Sequence, residues 1–279
     1  MSRVYEAIRK AEKEKREKTK EVPPLRIFEE KTVSKKEELP FKHSRETAME
    51  LELPSEDNHP IILAPPNSFA EEQFRKLRTQ IFLRSPNPPH SILVTSAAPQ
   101  EGKTMVAVNL AISVSQEIQK RVILIDGDIR KPGIYPEKYP NSKGLSNYLS
   151  NQTPLSEILL NSEEENLQII IAGPSTRRSS ELIGSKAMWE LLRSLGELGD
   201  DTYVIIDSSP IISTSEPTLL SKMVDGIVLV VKANETPKES VRRAVKSIDR
   251  QKIIGVVFNQ IDLKPSSYYS KYYYGYYRK

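Results

Sequence analysis

The chain has 279 residues, of which 38% are apolar and 28% charged, and this balance is typical of one large globular domain with polar extensions. It has no cysteine and three isolated histidines (His43, His59 and His90), which excludes disulfides, thiolate metal sites and cysteine nucleophiles and argues against a histidine-bound metal. No apolar run approaches the ~20 residues of a transmembrane helix, and the net charge of +4 is concentrated after residue 263, so we expect a cytoplasmic protein with no nucleic-acid partner.

The first 55 residues are predicted to form a flexible arm that opens with a short helix. Val4, Ala7, Ile8 and Ala11 follow a helical spacing and would give this helix one apolar stripe. The rest of the arm alternates charge runs with prolines and has few large apolar residues, so it cannot bury enough surface to order itself. The opening helix either frays in solution or docks on a partner protein, with direct membrane binding as a third alternative.

Residues 56–262 are predicted to form one α/β domain. Continuous β-branched runs indicate strands that are buried on both faces, and the helix-length segments between them predict a mostly parallel sheet with helices on both faces. Ligands bind such sheets at the carboxyl ends of the strands. The predicted strands cover residues 91–96, 121–126, 167–172, 203–207, 227–231 and 253–258.

A phosphate-binding loop follows the first predicted strand. Residues 97–104 have the P-loop spacing with Ala97 in place of the first glycine, and a helical stretch over 105–118 comes next. Backbone amides of the loop and of the helix N-terminus form a nest for phosphate. Lys103 is expected to reach the β- and γ-phosphates, and the Thr104 hydroxyl to bind Mg²⁺. The predicted nucleotide-binding residues are Ala98, Pro99, Gln100, Glu101, Gly102, Lys103, Thr104 and Met105.

Three aspartates stand at the ends of two further strands. Asp126 and Asp128 share one face if their strand continues, and such a pair of like charges needs a cation nearby. Asp207 ends the strand of residues 203–207 and is suited to hold Mg²⁺. The alternative for each acid is a capped turn of solvated carboxylates.

Together with a C-terminal tyrosine cluster, these motifs resemble the bacterial tyrosine kinases that are tied to capsule and exopolysaccharide export. The first residues of the chain resemble the stand-alone autokinases of that family that are linked to exosortase loci. Ala97, Ser209 and Glu216 depart from the family pattern, in which proline is frequent at the second position and aspartate is common at the third.

The resemblance implies an ATP- and Mg²⁺-dependent kinase with a P-loop NTPase-like fold. It makes Lys103 a catalytic residue and Asp126 the acceptor of the tyrosine proton, with Asp128 as the competing candidate. Thr104, Asp128 and Asp207 are the implied metal residues. The implied phosphorylation sites lie in the tail, residues 263–279, and are Tyr268, Tyr269, Tyr272, Tyr273, Tyr274, Tyr276 and Tyr277.

The resemblance also implies partners. Glu72, Arg75 and Arg78 have the spacing that mediates ring-like self-association in the family, and the ring would allow transfer in trans; the alternative is an intrahelical ion-pair surface. A membrane-embedded polysaccharide chain-length regulator would activate the kinase and hold it at the inner face of the cell membrane. A tyrosine phosphatase is a further candidate partner.

Two other functions fit parts of the sequence. Partition ATPases of the Min/Par type share the predicted sheet and both acidic motifs, but they carry an extra lysine early in the P-loop where this chain has Ala98. An inactive adaptor would not need Lys103, Thr104 and the three aspartates. The sequence therefore favours the kinase.

Overall fold

The computed structural model describes residues 63–82, 87–117, 119–134 and 142–261, all of which belong to one compact unit of the chain. The predicted N-terminal helix, the rest of the arm and the tyrosine tail lie outside the described residues, as does Asp262.

A seven-stranded sheet forms the centre of the domain, in the order β3-β4-β2-β5-β1-β6-β7. Six strands run parallel to their neighbours, and the predicted runs correspond to them. The two-residue β3 pairs antiparallel with β4, and it is too short to leave a hydrophobic pattern in the sequence. The strands are β1 (Ser91–Ser96), β2 (Arg121–Asp126), β3 (Leu160–Asn161), β4 (Leu167–Ile170), β5 (Thr202–Asp207), β6 (Gly226–Lys232) and β7 (Ile253–Asn259).

Helices pack on both faces of the sheet, as the sequence predicted, except at the edge strand β7, where Ile254, Val256 and Phe258 are exposed. One apolar cluster joins α1 and α2 to the sheet, and a second joins α3 to α7 to its other face. The helices are α1 (Phe69–Phe82), α2 (Lys103–Ser115), α3 (Leu145–Leu149), α4 (Ser179–Ile183), α5 (Lys186–Gly196), α6 (Glu216–Met223) and α7 (Lys238–Ser247), and 3-10 turns occupy Leu155–Glu157 and Arg250–Lys252.

Burial explains why the central strands have continuous apolar runs. All six residues of β5 and five of the six in β2 are buried, because helices pack on both faces. The register of this pair places Asp126 directly beside Asp207 at the carboxyl ends of the two strands. Among the described residues, no helix is long and apolar enough to cross a bilayer.

Candidate active site

The P-loop connects β1 to α2 through backbone conformations that favour glycine. Gln100 and Gly102 both have positive φ angles, of 62° and 83°. At Gly102 a Cβ atom would lie 2.1 Å from Nδ2 of Asn259, so a side chain there would have to displace the Asn259 amide. The left-handed backbone conformation is therefore the main reason that this position favours glycine.

The buried residue Glu101 holds the P-loop in place through hydrogen bonds. Its side chain is buried and accepts a hydrogen bond from the Ala98 amide at 2.7 Å, and its other carboxylate oxygen accepts one from the Thr236 hydroxyl. The backbone oxygen of Glu101 accepts a hydrogen bond from Asn259 at 2.9 Å. The sequence placed Glu101 in the loop but did not reveal its contacts with Thr236 and Asn259, which lie 135 and 158 residues away.

The end of β7 also lies on the P-loop. Besides the contact of Asn259, the side-chain amide of Gln260 donates to the backbone oxygen of Gln100 at 3.2 Å. Both residues follow directly on the last parallel strand, so their place at the carboxyl edge was a signal that could have identified them. The chain therefore passes the nucleotide loop immediately before the tyrosine tail begins.

Thr104 and Asp207, both implied metal residues, lie in direct contact. The Thr104 hydroxyl donates to Oδ2 of Asp207 at 2.6 Å, and Nζ of Lys103 lies 3.5 Å from the same hydroxyl. Oδ1 of Asp207 is buried without a hydrogen-bond partner. Burial raises the pKa of Asp207 to about 6, and the charge of Lys103 acts against that rise. An orphaned carboxylate oxygen beside a hydroxyl fits a hard cation such as Mg²⁺.

Within the described ranges no group of three His, Asp or Glu side chains could hold a metal ion. A cation at Thr104 and Asp207 would therefore need oxygen ligands from phosphate and water, as is typical of Mg²⁺ in nucleotide sites. Thr104 and Asp207 are two of the three metal residues that the resemblance implies, the third being Asp128.

Asp126 is fully buried, and backbone amides surround its carboxylate. It accepts hydrogen bonds from the amides of Asp128 at 3.1 Å and of Gly133 and Ile134 at 2.9 Å each. Burial and then the charge of Asp207 raise its pKa to about 8, although the three amides favour the ionised form. Asp126 thus holds the loop of residues 128–134 against the sheet.

The sequence places Asp126 and Asp128 on one face only if their strand continues through both residues. β2 ends at Asp126, so strand alternation does not place the two carboxylates on one face. β2 ends at Asp126 because the chain turns there, which allows the Asp128 amide to bond back to the Asp126 carboxylate. Asp128 retains 7% of its surface and accepts the Lys131 amide at 3.0 Å. Burial raises its pKa, and the Lys131 amide and the Lys103 charge oppose the rise.

The predicted self-association residues lie on α1 but do not form one free surface. Arg75 pairs with Glu71 at 2.8 Å and with Glu72 at 3.8 Å, and its side chain is 45% exposed. Arg78 instead turns toward the end of α2, where its Nε lies 2.8 Å from Glu117. Glu72 and Arg75 are therefore available to a neighbouring molecule, whereas Arg78 joins two helices of its own domain.

A cavity of about 620 Å³ opens away from the P-loop and the three aspartates. It is lined by His90, Trp189, Arg193 and Asp225, among others, at the edge where β1 and β6 begin. The carboxyl ends that carry the P-loop and the aspartates lie at the opposite edge of the sheet. The cavity is therefore separate from the candidate active site.

Comparisons with known proteins identify the family, although no family model matches the chain. The chain is 33% identical over 216 residues to the tyrosine-protein kinase YwqD of Bacillus subtilis, covering 76% of this chain and 90% of YwqD. It is 35% identical over 215 residues to the putative tyrosine-protein kinase CapB of Staphylococcus aureus, covering 75% and 92%. The crystal structure of the chimerical protein CapA2B2 superposes with a TM-score of 0.65 at 32% identity, covering 70% of this chain and 87% of that one.

The match also extends to part of a longer protein, the succinoglycan biosynthesis transport protein ExoP of Rhizobium meliloti. Identity there is 30% over 220 residues, which are 76% of this chain and 27% of ExoP. These relatives favour the kinase over the partition ATPase and the adaptor. The matches cover about nine-tenths of YwqD and CapB, and the chain has the P-loop and the adjacent aspartates described above. The chain therefore belongs to the bacterial tyrosine-protein kinases of capsule and exopolysaccharide systems and uses ATP as a phosphate donor.

Proposed function

We propose that this kinase phosphorylates the seven tyrosines of its own C-terminal tail and thereby regulates exopolysaccharide synthesis or export. The observation that supports the proposal is the contact of Asn259 and Gln260 with the P-loop, because these residues stand only a few positions before the tail in the sequence and lie at the catalytic edge. Only a few residues separate Gln260 from the first tyrosine of the cluster, Tyr268. The substrate is thus covalently attached beside the site.

Transfer in trans fits the dimensions better than transfer in cis. Residues 263–279 extend to at most about 60 Å and span about 23 Å as a random coil. A domain of this size has a radius of gyration near ~17 Å, so the tail can reach a neighbouring molecule. Its first tyrosines are anchored too close to their own P-loop to fold back without a sharp turn. A ring of copies, with Glu72 and Arg75 at the contact, would present each tail to the next site.

Nucleotide binding would use the P-loop amides and Lys103. Thr104 and Asp207 would hold Mg²⁺, with Asp128 near enough to Lys103 to share the same charge cluster. When bound, Mg²⁺ supplies positive charge that neutralises the phosphate oxygens. Because phosphoryl transfer has a loose transition state, this electrostatic stabilisation of the phosphates contributes more to the rate than proton transfer to a base.

Asp128 is the better-placed acceptor of the tyrosine proton. Asp126 is fully buried and both its oxygens accept hydrogen bonds from backbone amides, whereas Asp128 keeps 7% of its surface exposed and burial raises its pKa. In the transfer, a bond forms between the phenolic oxygen and the γ-phosphorus, and the bond from that phosphorus to the bridging oxygen breaks. ADP leaves, and the phenolic proton passes to Asp128.

Phosphorylation would reverse the charge of the tail and loosen the ring. The tail carries four cations and no acid, and each phosphate adds about −1.5 to −2 charges. Three phosphates are therefore enough to make it negative. Repulsion among such tails would couple autophosphorylation to disassembly, and a tyrosine phosphatase would restore the ring.

A mixing experiment tests transfer in trans. The Lys103→Met protein, with its tail intact, is incubated with Mg-ATP and an active protein whose tail tyrosines are all Phe. We expect phosphotyrosine on the inactive chain, because it alone carries the tail tyrosines. Mass spectrometry of the tail peptides identifies the modified residues.

Each protein incubated alone is the control and should remain unlabelled. If the mixture stays unlabelled while the wild type labels itself, transfer in trans is wrong and the cis route stands. If the wild type hydrolyses ATP without any phosphotyrosine in residues 264–279, the tail is not the substrate.

A membrane-embedded chain-length regulator is the partner that we propose, which would place the kinase at the inner face of the cell membrane. ExoP supports this, because the segment similar to this chain is there part of a longer transport protein. The apolar positions Val4, Ile8 and Ala11 would dock on the cytoplasmic part of the regulator.

Deleting residues 1–20 is expected to leave nucleotide affinity unchanged and to weaken recruitment by the regulator at least tenfold. The reason is that the deletion removes the apolar stripe and leaves the P-loop intact. A pull-down from membranes that contain the regulator measures recruitment, and fluorescent ADP measures affinity. Equal recruitment of the full and shortened chains would exclude this helix as the docking element.

A further inference from the structure

Arg130 is held by one edge of its guanidinium group. Its Nε donates to Oε1 of Glu216 at 3.0 Å and lies 2.8 Å from the hydroxyl of Ser179. The same glutamate oxygen accepts the hydroxyls of Ser179 at 2.6 Å and of Ser180 at 3.0 Å. Glu216 is only 2% exposed, whereas the Arg130 side chain is 48% exposed. A buried anion thus orients an arginine at the surface.

These hydrogen bonds leave the two terminal amino groups of the Arg130 guanidinium available. In the part of the chain that the structure describes, the hydrogen bonds of this side chain all involve Nε and none involves the two terminal amino groups. Hydroxyl hydrogen bonds lower the pKa of Glu216 even though its burial acts in the other direction, so its charge persists. Two parallel amino groups on a fixed guanidinium match a phosphate or carboxylate group.

Arg130 lies on the segment that carries Asp128, the proposed acceptor of the tyrosine proton. It follows Asp128 by two residues, and Glu216 lies near enough to Asp128 to raise its pKa. Three residues later, Gly133 approaches Thr104 so closely that a Cβ would lie 2.9 Å from its hydroxyl. The segment from Asp128 to Gly133 therefore borders the place where an acceptor must arrive.

The composition of the tail indicates which anion Arg130 would bind. Residues 264–279 contain no Asp or Glu side chain, so in this substrate a phosphorylated tyrosine is the side chain that can offer an anion to Arg130. Each tyrosine of the cluster is at most three positions from the next, and a tail held by one phosphate therefore keeps the next tyrosine within about 10 Å along an extended chain.

We propose that Arg130, oriented by Glu216, binds a phosphotyrosine already formed in the tail and so presents a neighbouring tyrosine for the next transfer. This inference rests on the proposed function, because it takes the tail as substrate. Each transfer follows the same bond changes as the first. The site would make multiple phosphorylation of the cluster cooperative, so that tails would be found mostly unmodified or multiply modified.

Two synthetic peptides of residues 264–279 test the proposal, one unmodified and one phosphorylated on Tyr272. The enzyme is the full chain with its own tail tyrosines changed to Phe, so that they do not compete. We expect kcat/KM to be about tenfold higher for the phosphorylated peptide, mostly through a lower KM. Arg130→Gln should reduce this ratio to about one, and Arg130→Lys should retain part of it, since an ammonium cannot make the paired contact.

The ratio of the two peptides is the readout because it cancels any general loss of activity in a variant. Glu216→Gln is expected to lower the ratio by freeing the guanidinium. Arg242→Gln is the matched control: it removes an exposed arginine from α7 and should keep the full ratio. Should Arg130→Gln fail to fold, the ratio of Arg130→Lys and direct binding of both peptides to the unmutated enzyme remain decisive.

Equal kcat/KM values for the two peptides with Arg130 present would overturn the proposal, as would a ratio that survives in Arg130→Gln. A variant that raises the KM for ATP and keeps the peptide ratio would assign Arg130 to the nucleotide instead. If the enzyme labels a generic tyrosine peptide but neither tail peptide, the proposed substrate itself is wrong, and this result is distinct from loss of preference alone.

Discussion

Lys103→Met is expected to abolish autophosphorylation, with a loss on the order of 10³-fold or more. The ammonium group lies 3.5 Å from the Thr104 hydroxyl, and its charge opposes the burial that raises the pKa values of both Asp128 and Asp207. Methionine has a similar length and no charge, so the P-loop keeps its shape. The variant loses the cation that neutralises the phosphates and also the one that offsets the two aspartates.

The measurement is incorporation of labelled phosphate at saturating Mg-ATP, with nucleotide affinity measured separately. Lys186→Met is a suitable control because that lysine is 88% exposed on α5. It should retain wild-type activity. Transfer by Lys103→Met within tenfold of the wild type would show that the P-loop amides and the divalent cation suffice, and our assignment of Lys103 would be wrong.

Asp126→Asn and Asp128→Asn are both expected to lose at least about 100-fold in transfer, for different reasons. Where Asp126 is ionised its carboxylate accepts all three backbone N–H donors, whereas in Asp126→Asn the new amide group faces one of them and leaves a buried donor unsatisfied at a cost of about 1–3 kcal/mol. The loop of residues 128–134 then loosens, and the protein should unfold several degrees earlier. Asp128→Asn removes the proton acceptor and should leave the unfolding temperature and nucleotide affinity nearly unchanged.

The pH dependence of stability separates the two aspartates further. The pKa of Asp126 is about 8 in the folded protein, above its value of about 4 in an unfolded chain. The folded state therefore binds more protons between these values, and the stability of the nucleotide-free wild type should fall as the pH rises from 5 to 8. Asp126→Asn should lose much of this slope, and Asp128→Asn should keep most of it.

Thermal unfolding at several pH values, together with single-turnover transfer, measures both properties. If Asp128→Asn retained full transfer while Asp126→Asn lost it without any change in stability, the buried Asp126 would be the proton acceptor and our assignment would have to be reversed. An Asp126→Asn protein with an unaltered pH slope would instead show that Asp207 carries the titration.

The sequence predicted the local features of this protein because each depends on neighbouring residues. Continuous β-branched runs identified β1, β2 and β5 through the burial of both faces. The spacing of Gly102, Lys103 and Thr104 marked the phosphate loop, and Asp207 was placed correctly because it ends a buried strand. The resemblance to the kinase family followed from those motifs, and the relatives confirm it.

Tertiary structure decided which of these residues touch one another. Glu101 meets Asn259 across 158 positions, and Arg130 meets Glu216 across 86. No local pattern encodes such pairs, since they depend on how the sheet orders its strands and on where each loop emerges. Hydrophobic periodicity also does not predict the turn after Asp126, because a hydrogen bond from the Asp128 amide to the Asp126 side chain ends the strand there. The sequence therefore determines the chemical groups, and the order of the strands determines which of them act together.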